Sequence, residues 1–384
     1  FPTRRSSDLT LLNSIANNPD TQIKDLEMLT ESEKQAQITA KNKRAKANFK
    51  KFQSIKPKAV NLPPEDLVKT SFLQPELAFP FVVEPNSSEI DLADWATNSR
   101  DFLQEKLLKH GAILFRGFQI NSISEFERVA DSISPNLFGE YGDLPREGVS
   151  DKVYGSTPYP ADKAILFHNE SSHLHRWPMK IFFLCAKAAK EGGETPIVDC
   201  RKVYQKLNPK LREKLEEKQL MYVRTFIEDL DVSWQNFFRT NNKSEVESYC
   251  QKAGLEFEWL ENNGLKTRKV RQAIATHPTT GEKIFFNQLQ LHHISCLDAS
   301  VRDSLLSEFG EEKLPRNVYY GDGTAIEDSV MEEINEVYWQ NSVAFPWQEG
   351  NMIMLDNMLV AHARNPYIGP RKIVVAMAEL TNNN

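Results

Sequence analysis

The residue pattern predicts an α+β protein with a mainly β core, a jelly-roll-like double sheet with supporting helices. Short apolar runs rich in Val, Ile and Phe recur along the chain, bounded by Gly, Pro, Asn and Asp clusters. Segments with helical spacing gather near the start and between strands instead of alternating regularly with them. No internal repeat is present, which disfavours a solenoid or propeller.

In chain order, Phe1–Leu9 (FPTRRSSDL) has no pattern of a structural element. It resembles the translation of a sequencing-adapter oligonucleotide, and since the first residue is not Met, residues 1–9 are set aside as a sequence artefact. Residues 10–60 form a second segment, ending in Lys41–Lys58, which carries eight Lys/Arg and no acid and reads as a solvated tether. The globular part is expected over 61–384. Leu92, Trp95, Phe102, Leu103 and Leu107 follow helical spacing up to Gly111, and Ala112–Phe118 reads as a buried strand. Ser124 with Glu127 offers a capping box for a helix carrying Phe126 and Val129. Tyr141–Asp162, rich in Gly, Pro and Ser, reads as a long loop over a site. Ile181–Ala186 is a strand and Gly192–Asp199 a turn feeding another. Leu207, Leu211 and Leu215 mark a helix, and Met221–Arg224 a strand. Residues 228–250 read as polar and irregular. Strands follow at Phe257–Trp259, Ala273–Ala275 and Ile284–Phe286, then helices on Val301–Phe309 and Val330–Tyr338. The chain closes on Met352–Asn357, Ala361–Arg364 and Gly369–Met377.

Composition narrows the partners. The chain has 384 residues, 40% of them hydrophobic, enough for a sizeable core. A formal net charge of −6 argues against nucleic acid or an anionic membrane as the main partner. No apolar run is long enough to span a bilayer. Cys185, Cys200, Cys250 and Cys296 form no C-x-x-C pair, so neither a zinc cluster nor a disulfide framework is indicated, and a cytoplasmic location is expected.

The chemistry centres on Ile165–His173 (ILFHNESSH). If residues 165–170 are extended, His168 and Glu170 leave the same face of the strand. An imidazole and a carboxylate so placed are two parts of the 2-His-1-carboxylate arrangement that leaves one face of Fe(II) open. The pair alone also fits an ordinary surface contact. His362, just after a hydrophobic strand, offers the third ligand, and Arg371 opens the last strand as a fixed cation suited to a carboxylate. His173 and His175 read as loop groups, His292 and His293 as structural, Asp356–Asn357 as a turn or a support for the site, and Met352, Met354 and Met358 as core.

FHNESS, GGETPIVD, MLDNMLVAHAR and GPRKIVVAM stand in an order and at gaps that resemble the TauD/TfdA family of Fe(II)/2-oxoglutarate dioxygenases. The likeness runs from about Asn61 to Leu380 and is strongest to members associated with non-ribosomal peptide synthetases. It implies a double-stranded β-helix core. It also implies that His168, Glu170 and His362 ligate the iron, and that Arg371 and the Thr195 hydroxyl hold the distal carboxylate of 2-oxoglutarate. Many members have Asp where this chain has Glu170. Asn287 lies where relatives line the pocket, as a substrate or cosubstrate contact. Lys372, beside Arg371 on a strand, is expected to face the other way. In residues 10–40, Leu11-Leu12, Ile15, Asn18-Pro19-Asp20, Ile23, Leu26 and Leu29-Thr30-Glu31 resemble the tail of a condensation domain.

What these resemblances imply is hydroxylation of an unactivated C–H, with 2-oxoglutarate and O2 as cosubstrates and succinate and CO2 as products. The expected substrate is an amino acid, free or tethered to a carrier protein, in non-ribosomal peptide or siderophore-like biosynthesis, with peptide synthetase modules as partners. Alternatives are a catabolic dioxygenase for a free small acid and a non-catalytic docking domain. A Zn hydrolase or cupin isomerase on a similar barrel is disfavoured, since neither needs a dicarboxylate clamp such as Arg371 with Thr195.

Overall fold

The computed structural model describes residues 63–382, except 139–149, 151, 156–158 and 228–231, together with Thr30 and a few helical positions between 32 and 43. The chain divides into two units, Phe1–Asn61 and Leu62–Asn384. Most of the condensation-domain likeness, of the basic tether and of the Tyr141–Asp162 loop falls outside the described residues.

The strands of the second unit begin with β1 (Val68–Gln74), β2 (Phe79–Pro85), β3 (Ala112–Phe115), β4 (Val153–Gly155), β5 (Ile165–His168) and β6 (Arg176–Lys187). They continue with β7 (Glu191–Gly192), β8 (Ile197–Asp199), β9 (Leu220–Phe226), β10 (Glu256–Trp259), β11 (Leu265–Arg271), β12 (Ile274–Thr276) and β13 (Lys283–Phe285). The last are β14 (Arg316–Tyr320), β15 (Met352–Asp356), β16 (Val360–Arg364), β17 (Tyr367–Ile368) and β18 (Lys372–Asn382). A seven-stranded sheet has the order β1-β2-β3-β15-β6-β18-β4, a three-stranded sheet β5-β16-β8, and a four-stranded sheet β10-β11-β9-β14.

The large sheet is buried on both faces, and its central strands show why. In β6, β15 and β18, Phe182, Leu184, Met352, Met354, Val374 and Ala376 point to one side. Their neighbours Ile181, Phe183, Ile353, Leu355, Ile373 and Val375 point to the other. A period of two divides a continuous apolar run between two cores. One core is closed by the helices Leu92–Asn98, Arg100–His110 and Ile123–Ile133 through Trp95, Leu103, Leu107, Phe126 and Val129. The other is shared with β5, β8 and β16 through Phe167, Ile197, Val198 and Val360, and with the helix Asp328–Asn341. A third core of Phe226, Trp234, Val246, Cys250 and Leu265 lies beneath the four-stranded sheet.

Three local expectations change. The first helical segment divides at Ser99 into Leu92–Asn98 and Arg100–His110. It stops where expected, because Gly111 has φ 74° and a Cβ there would lie 2.7 Å from Val360 Cγ2. The capping box is Ser122/Glu125, not Ser124/Glu127: Ser122 Oγ accepts from Glu125 N at 3.2 Å and Glu125 Oε2 accepts from Ser122 N at 3.1 Å. Both pairs satisfy the sequence signature, but a start at Ile123 turns Phe126, Val129, Ala130 and Ile133 inward. Glu127 accepts from Ser150 Oγ instead, at 2.6 Å. Finally, residues 228–250 include the helices Trp234–Phe238 and the start of Lys243–Ala253. The second buries only Val246, Cys250 and Ala253, a stripe too sparse to read among polar residues.

Candidate metal centre

β5 and β16 run antiparallel with His168 directly opposite His362, and on its other edge β16 sets His362 opposite Ile197 of β8. The two imidazole centroids are 4.3 Å apart, and Phe183 of the large sheet lies 5.0 Å from the His362 ring. Pairing across the strands, not proximity in the chain, therefore joins the two histidines. His168 Nδ1 is 2.8 Å from the carbonyl of Leu166, which fixes the proton on Nδ1 and leaves Nε2 as the ligand atom.

Glu170 reaches the same place by a different route from the one expected. The strand ends at His168, and Glu170 sits in a turn followed by Ser171 at φ 56°, a left-handed conformation unusual for a side chain other than Gly. Buried amides hold that turn. Asn357 Oδ1 accepts from Glu170 N at 2.7 Å, and its Nδ2 donates to the carbonyls of Glu170 at 2.9 Å and Pro178 at 2.8 Å. Asn169 Nδ2 donates to the Asn357 carbonyl at 2.7 Å, and Gln288 Nε2 to the Asn169 carbonyl at 3.1 Å. The backbone on both sides of Glu170 is thus bonded by side chains remote in sequence.

His168, Glu170 and His362 are 9%, 4% and 5% exposed, and one ligand atom from each lies within 4.8 Å of the other two. Among the described residues this is the one group of three or more His, Cys, Asp or Glu side chains closed to that degree. Burial raises the Glu170 carboxyl to about 8, against the backbone N–H of Ser171, which favours the anion. A divalent cation between two neutral imidazoles stabilises its charged form, and the N,N,O donor set suits Fe(II).

The second cluster surrounds Thr195, just before β8. Arg371 Nε donates to the Gly193 carbonyl at 2.9 Å, and Nη2 approaches Thr195 Oγ1 at 3.5 Å. Trp347 Nε1 donates to Thr195 Oγ1 at 3.1 Å, which leaves the Thr195 hydroxyl proton free to point at an anion. The two glycines of GGETPIVD have separate reasons. A Cβ on Gly192 would lie 2.3 Å from the Pro366 carbonyl oxygen, and one on Gly193 3.0 Å from Arg371 Cδ and Nε. Burial, then the nearby Arg364 guanidinium, lowers Arg371 to about 10, so an anion beside it relieves a real penalty. Lys372 is exposed and lines a separate cleft with Gln119 and Glu349, as the alternation predicted.

Asn287 is 2% exposed, with its amide engaged by backbone: Nδ2 donates to Ala273 O at 3.2 Å and Oδ1 accepts from Leu289 N at 3.0 Å. Its own N donates to Asn169 Oδ1 at 3.3 Å, so Asn287 braces the loop that carries Glu170. Asp356 Oδ1 accepts from the N–H groups of Met358 and Leu359, and Asp356 Oδ2 lies 3.2 Å from Nε2 of the fully buried His277. The core readings of Met352, Met354 and Met358 agree with exposures of 3% or less. His292 and His293 are buried, and the His173 ring lies tilted against those of Tyr222 and His292, which also touch each other. The sequence reading missed Trp347 and Arg364. Arg364 donates to the carbonyls of Tyr159, Pro160 and Lys163, and its position two residues after His362 on a strand was the available signal.

A jelly-roll sheet pair holding two histidines and a carboxylate around one point, with the half-buried Arg371 beside Thr195, defines a mononuclear metal enzyme for an anionic cosubstrate. Residues 74–377 match the family described as "Taurine catabolism dioxygenase TauD, TfdA family". The chain is 37% identical over 278 residues, 72% of this chain and 84% of its relative, to the dapdiamide synthesis protein DdaC of Enterobacter agglomerans. It is 30% identical over 324 residues, 78% of this chain and 94% of the other, to a clavaminate synthase-like protein of Arabidopsis thaliana. The crystal structure of PvcB from Pseudomonas aeruginosa shares the fold at a TM-score of 0.50 and 13% identity, over 84% of this chain and 94% of that one. The chain belongs to the TauD/TfdA dioxygenase family, and is an Fe(II)- and 2-oxoglutarate-dependent dioxygenase. Among the described residues no helix is long and apolar enough to cross a membrane.

Proposed function

We propose that this enzyme hydroxylates an unactivated C–H of an amino acid carried on a peptide synthetase carrier protein, in non-ribosomal peptide or siderophore-like biosynthesis within a reducing cytoplasm. The observation that carries the catalytic part is the buried His168, Glu170 and His362 set with Arg371 and Thr195 beside it. In this reading His168 Nε2, a Glu170 carboxylate oxygen and His362 hold the iron, which when bound supplies the oxidising chemistry that couples 2-oxoglutarate decarboxylation to substrate hydroxylation. Arg371 and the Thr195 hydroxyl hold the distal carboxylate of 2-oxoglutarate. Trp347 directs the Thr195 proton, and Asn357, Asn169, Gln288 and Asn287 keep Glu170 oriented. Asn287, expected against the substrate, enters through the loop it braces. Burial of the triad, with the Phe183 ring 5.0 Å from that of His362, keeps bulk water from the reacting centre.

The carrier-borne substrate is supported by the condensation-domain likeness of residues 10–40 and the basic stretch 41–58. A tether of that kind raises effective concentration to the order of millimolar for short flexible linkers. The biosynthetic role is supported by the likeness to a dapdiamide synthesis protein. The test is mass spectrometry of a panel of amino acids, free and carrier-loaded, after incubation with Fe(II), 2-oxoglutarate and ascorbate. Gain of one oxygen atom on the loaded residue, in preference to the free one, is the expected result. Equal or better turnover of free amino acids removes the carrier from the proposal and leaves the dioxygenase.

A further inference from the structure

Beyond Glu170 the chain runs through the loop 171–175 to His175 and Arg176 at the start of β6, on the wall of a second cleft of about 710 Å³. The cleft is also lined by Lys252, Gly254, Lys269 and Arg271, and among the described residues no Asp or Glu lines it. Four formal positive charges and an imidazole therefore face one space in a chain whose overall charge is −6.

The cations are built in. Arg271 ends β11 at 9% exposure, with its guanidinium 5.4 Å from the centroid of Trp177. Lys269, two residues earlier on the same strand, donates to the carbonyls of Ala253 at 3.0 Å and Gly254 at 2.7 Å, at the end of the helix Lys243–Ala253. That helix end is the negative pole of its dipole and would repel an anion, so the ammonium bound to its carbonyls offsets it. Gly254 permits the approach: its φ is +60°, and a Cβ there would lie 2.7 Å from Lys269 Nζ. Arg176 and Lys252 are exposed at the rim.

The group is self-repelling without an anion. Burial first, then Arg176, Arg271 and Lys269, lowers the His175 imidazole, so His175 is a neutral hydrogen-bonding group here. Burial and then Arg271 lower Lys269. Arg271 also lines a smaller cleft with Ser172 and Trp177, so it stands between the basic cleft and the loop two residues past Glu170.

We infer that this cleft is a phosphoryl-binding site that holds the phosphate of an extended substrate while the substrate's other end reaches the metal centre. A phosphoryl group spreads its charge over tetrahedrally disposed oxygens, so cations converging from different elements match it better than they match a planar carboxylate. The inference rests on the proposed carrier-borne substrate only for the source of that phosphate, namely the phosphodiester of a phosphopantetheine arm. A free phosphorylated small molecule presents the same chemistry.

The test uses the full-length enzyme with Fe(II) and 2-oxoglutarate, kept anaerobic, titrated with inorganic phosphate at constant ionic strength. Saturable binding is expected, weakened roughly tenfold or more by either Arg176→Glu or Lys252→Glu, as for loss of one charge-assisted contact. Both positions are exposed, so folding is retained. In turnover, removing the phosphate from an aminoacyl-phosphopantetheine thioester is expected to raise KM about tenfold in the wild type and hardly at all in Lys252→Glu, with kcat little changed. A carrier-loaded thioester that outcompetes free aminoacyl-phosphopantetheine identifies the carrier arm as the source, and the reverse order identifies a free phosphorylated molecule. No saturable phosphate binding, or wild-type affinity in both charge-reversed variants, overturns the inference. Decarboxylation of 2-oxoglutarate in aliquots of the same preparations exposed to O2 separates the two readings: intact decarboxylation without phosphate binding defeats only the cleft, and phosphate binding without decarboxylation defeats only the catalytic assignment.

Discussion

The seven-stranded sheet and the three-stranded sheet are neighbours in one core, yet they are held by different forces. In the large sheet, strands of up to twelve residues alternate apolar side chains between two dry cores. Its stability is spread over many interchangeable contacts, and a change at one costs what that side chain buried. The site sheet has strands of three to five residues, and the loop after β5 that carries Glu170 is bonded through its backbone to Asn287, Gln288 and Asn357. There a change costs an unsatisfied buried group and a misplaced ligand. One region tolerates error in amount, the other in almost nothing.

The sharpest break of that contrast is His362→Ala. Decarboxylation of 2-oxoglutarate is expected to fall to background, while the thermal unfolding midpoint stays near the wild-type value, because an open three-ligand site contributes chemistry more than folding energy. Full turnover in this variant, measured by succinate release, would falsify the metal assignment. Chelation of the wild type is expected to give the same loss, reversed by Fe(II).

Arg371→Ala comes next. Removing a buried partner of a carboxylate typically costs about 2–5 kcal/mol, so the 2-oxoglutarate requirement should rise roughly 30-fold or more. Iron binding, read by calorimetry, should change little. An unchanged cosubstrate dependence would move the clamp away from Arg371.

In the large sheet the matching experiment is Leu114→Ala, at a side chain with 0% exposure in β3. Denaturant unfolding should show a loss of about 2–5 kcal/mol, with kcat per folded molecule retained. A variant as stable as the wild type but inactive would show that the two regions are not separable as described.

Asn357→Ala probes the boundary between them. It strips the partners from the N–H and carbonyl of Glu170 and the carbonyl of Pro178. Expected are about 1–3 kcal/mol of lost stability and iron affinity weakened about 10–100-fold. Asn357→Asp keeps the acceptor for Glu170 N and should fall between the two. Normal iron affinity in Asn357→Ala would reduce the amide network to packing. The smallest effect is expected from Ser122→Ala, about 1 kcal/mol from the lost cap, with no change in activity.

Short periods and local chemistry are legible in the order of the amino acids alone. Continuous apolar runs specified β6, β15 and β18, and an αL glycine at Gly111 ended the first helical segment. Residue types in order pointed to His168, Glu170, His362 and Arg371, and the family likeness added Thr195. How these meet was settled by the packed fold. The expected i, i+2 geometry for His168 and Glu170 gave way to a turn, because Asn357, far along the chain, bonds both sides of Glu170. Packing likewise chose Ser122 over Ser124 as the cap, because only one start turns Phe126 and Val129 inward. Trp347 behind Thr195, Arg364 on the 159–163 loop, and Lys269 against the helix end at Gly254 were equally out of reach, since none has a local pattern. A hydrogen bond across the fold leaves no periodic trace in sequence, because its partners are specified by where the packed sheets bring them and not by their spacing.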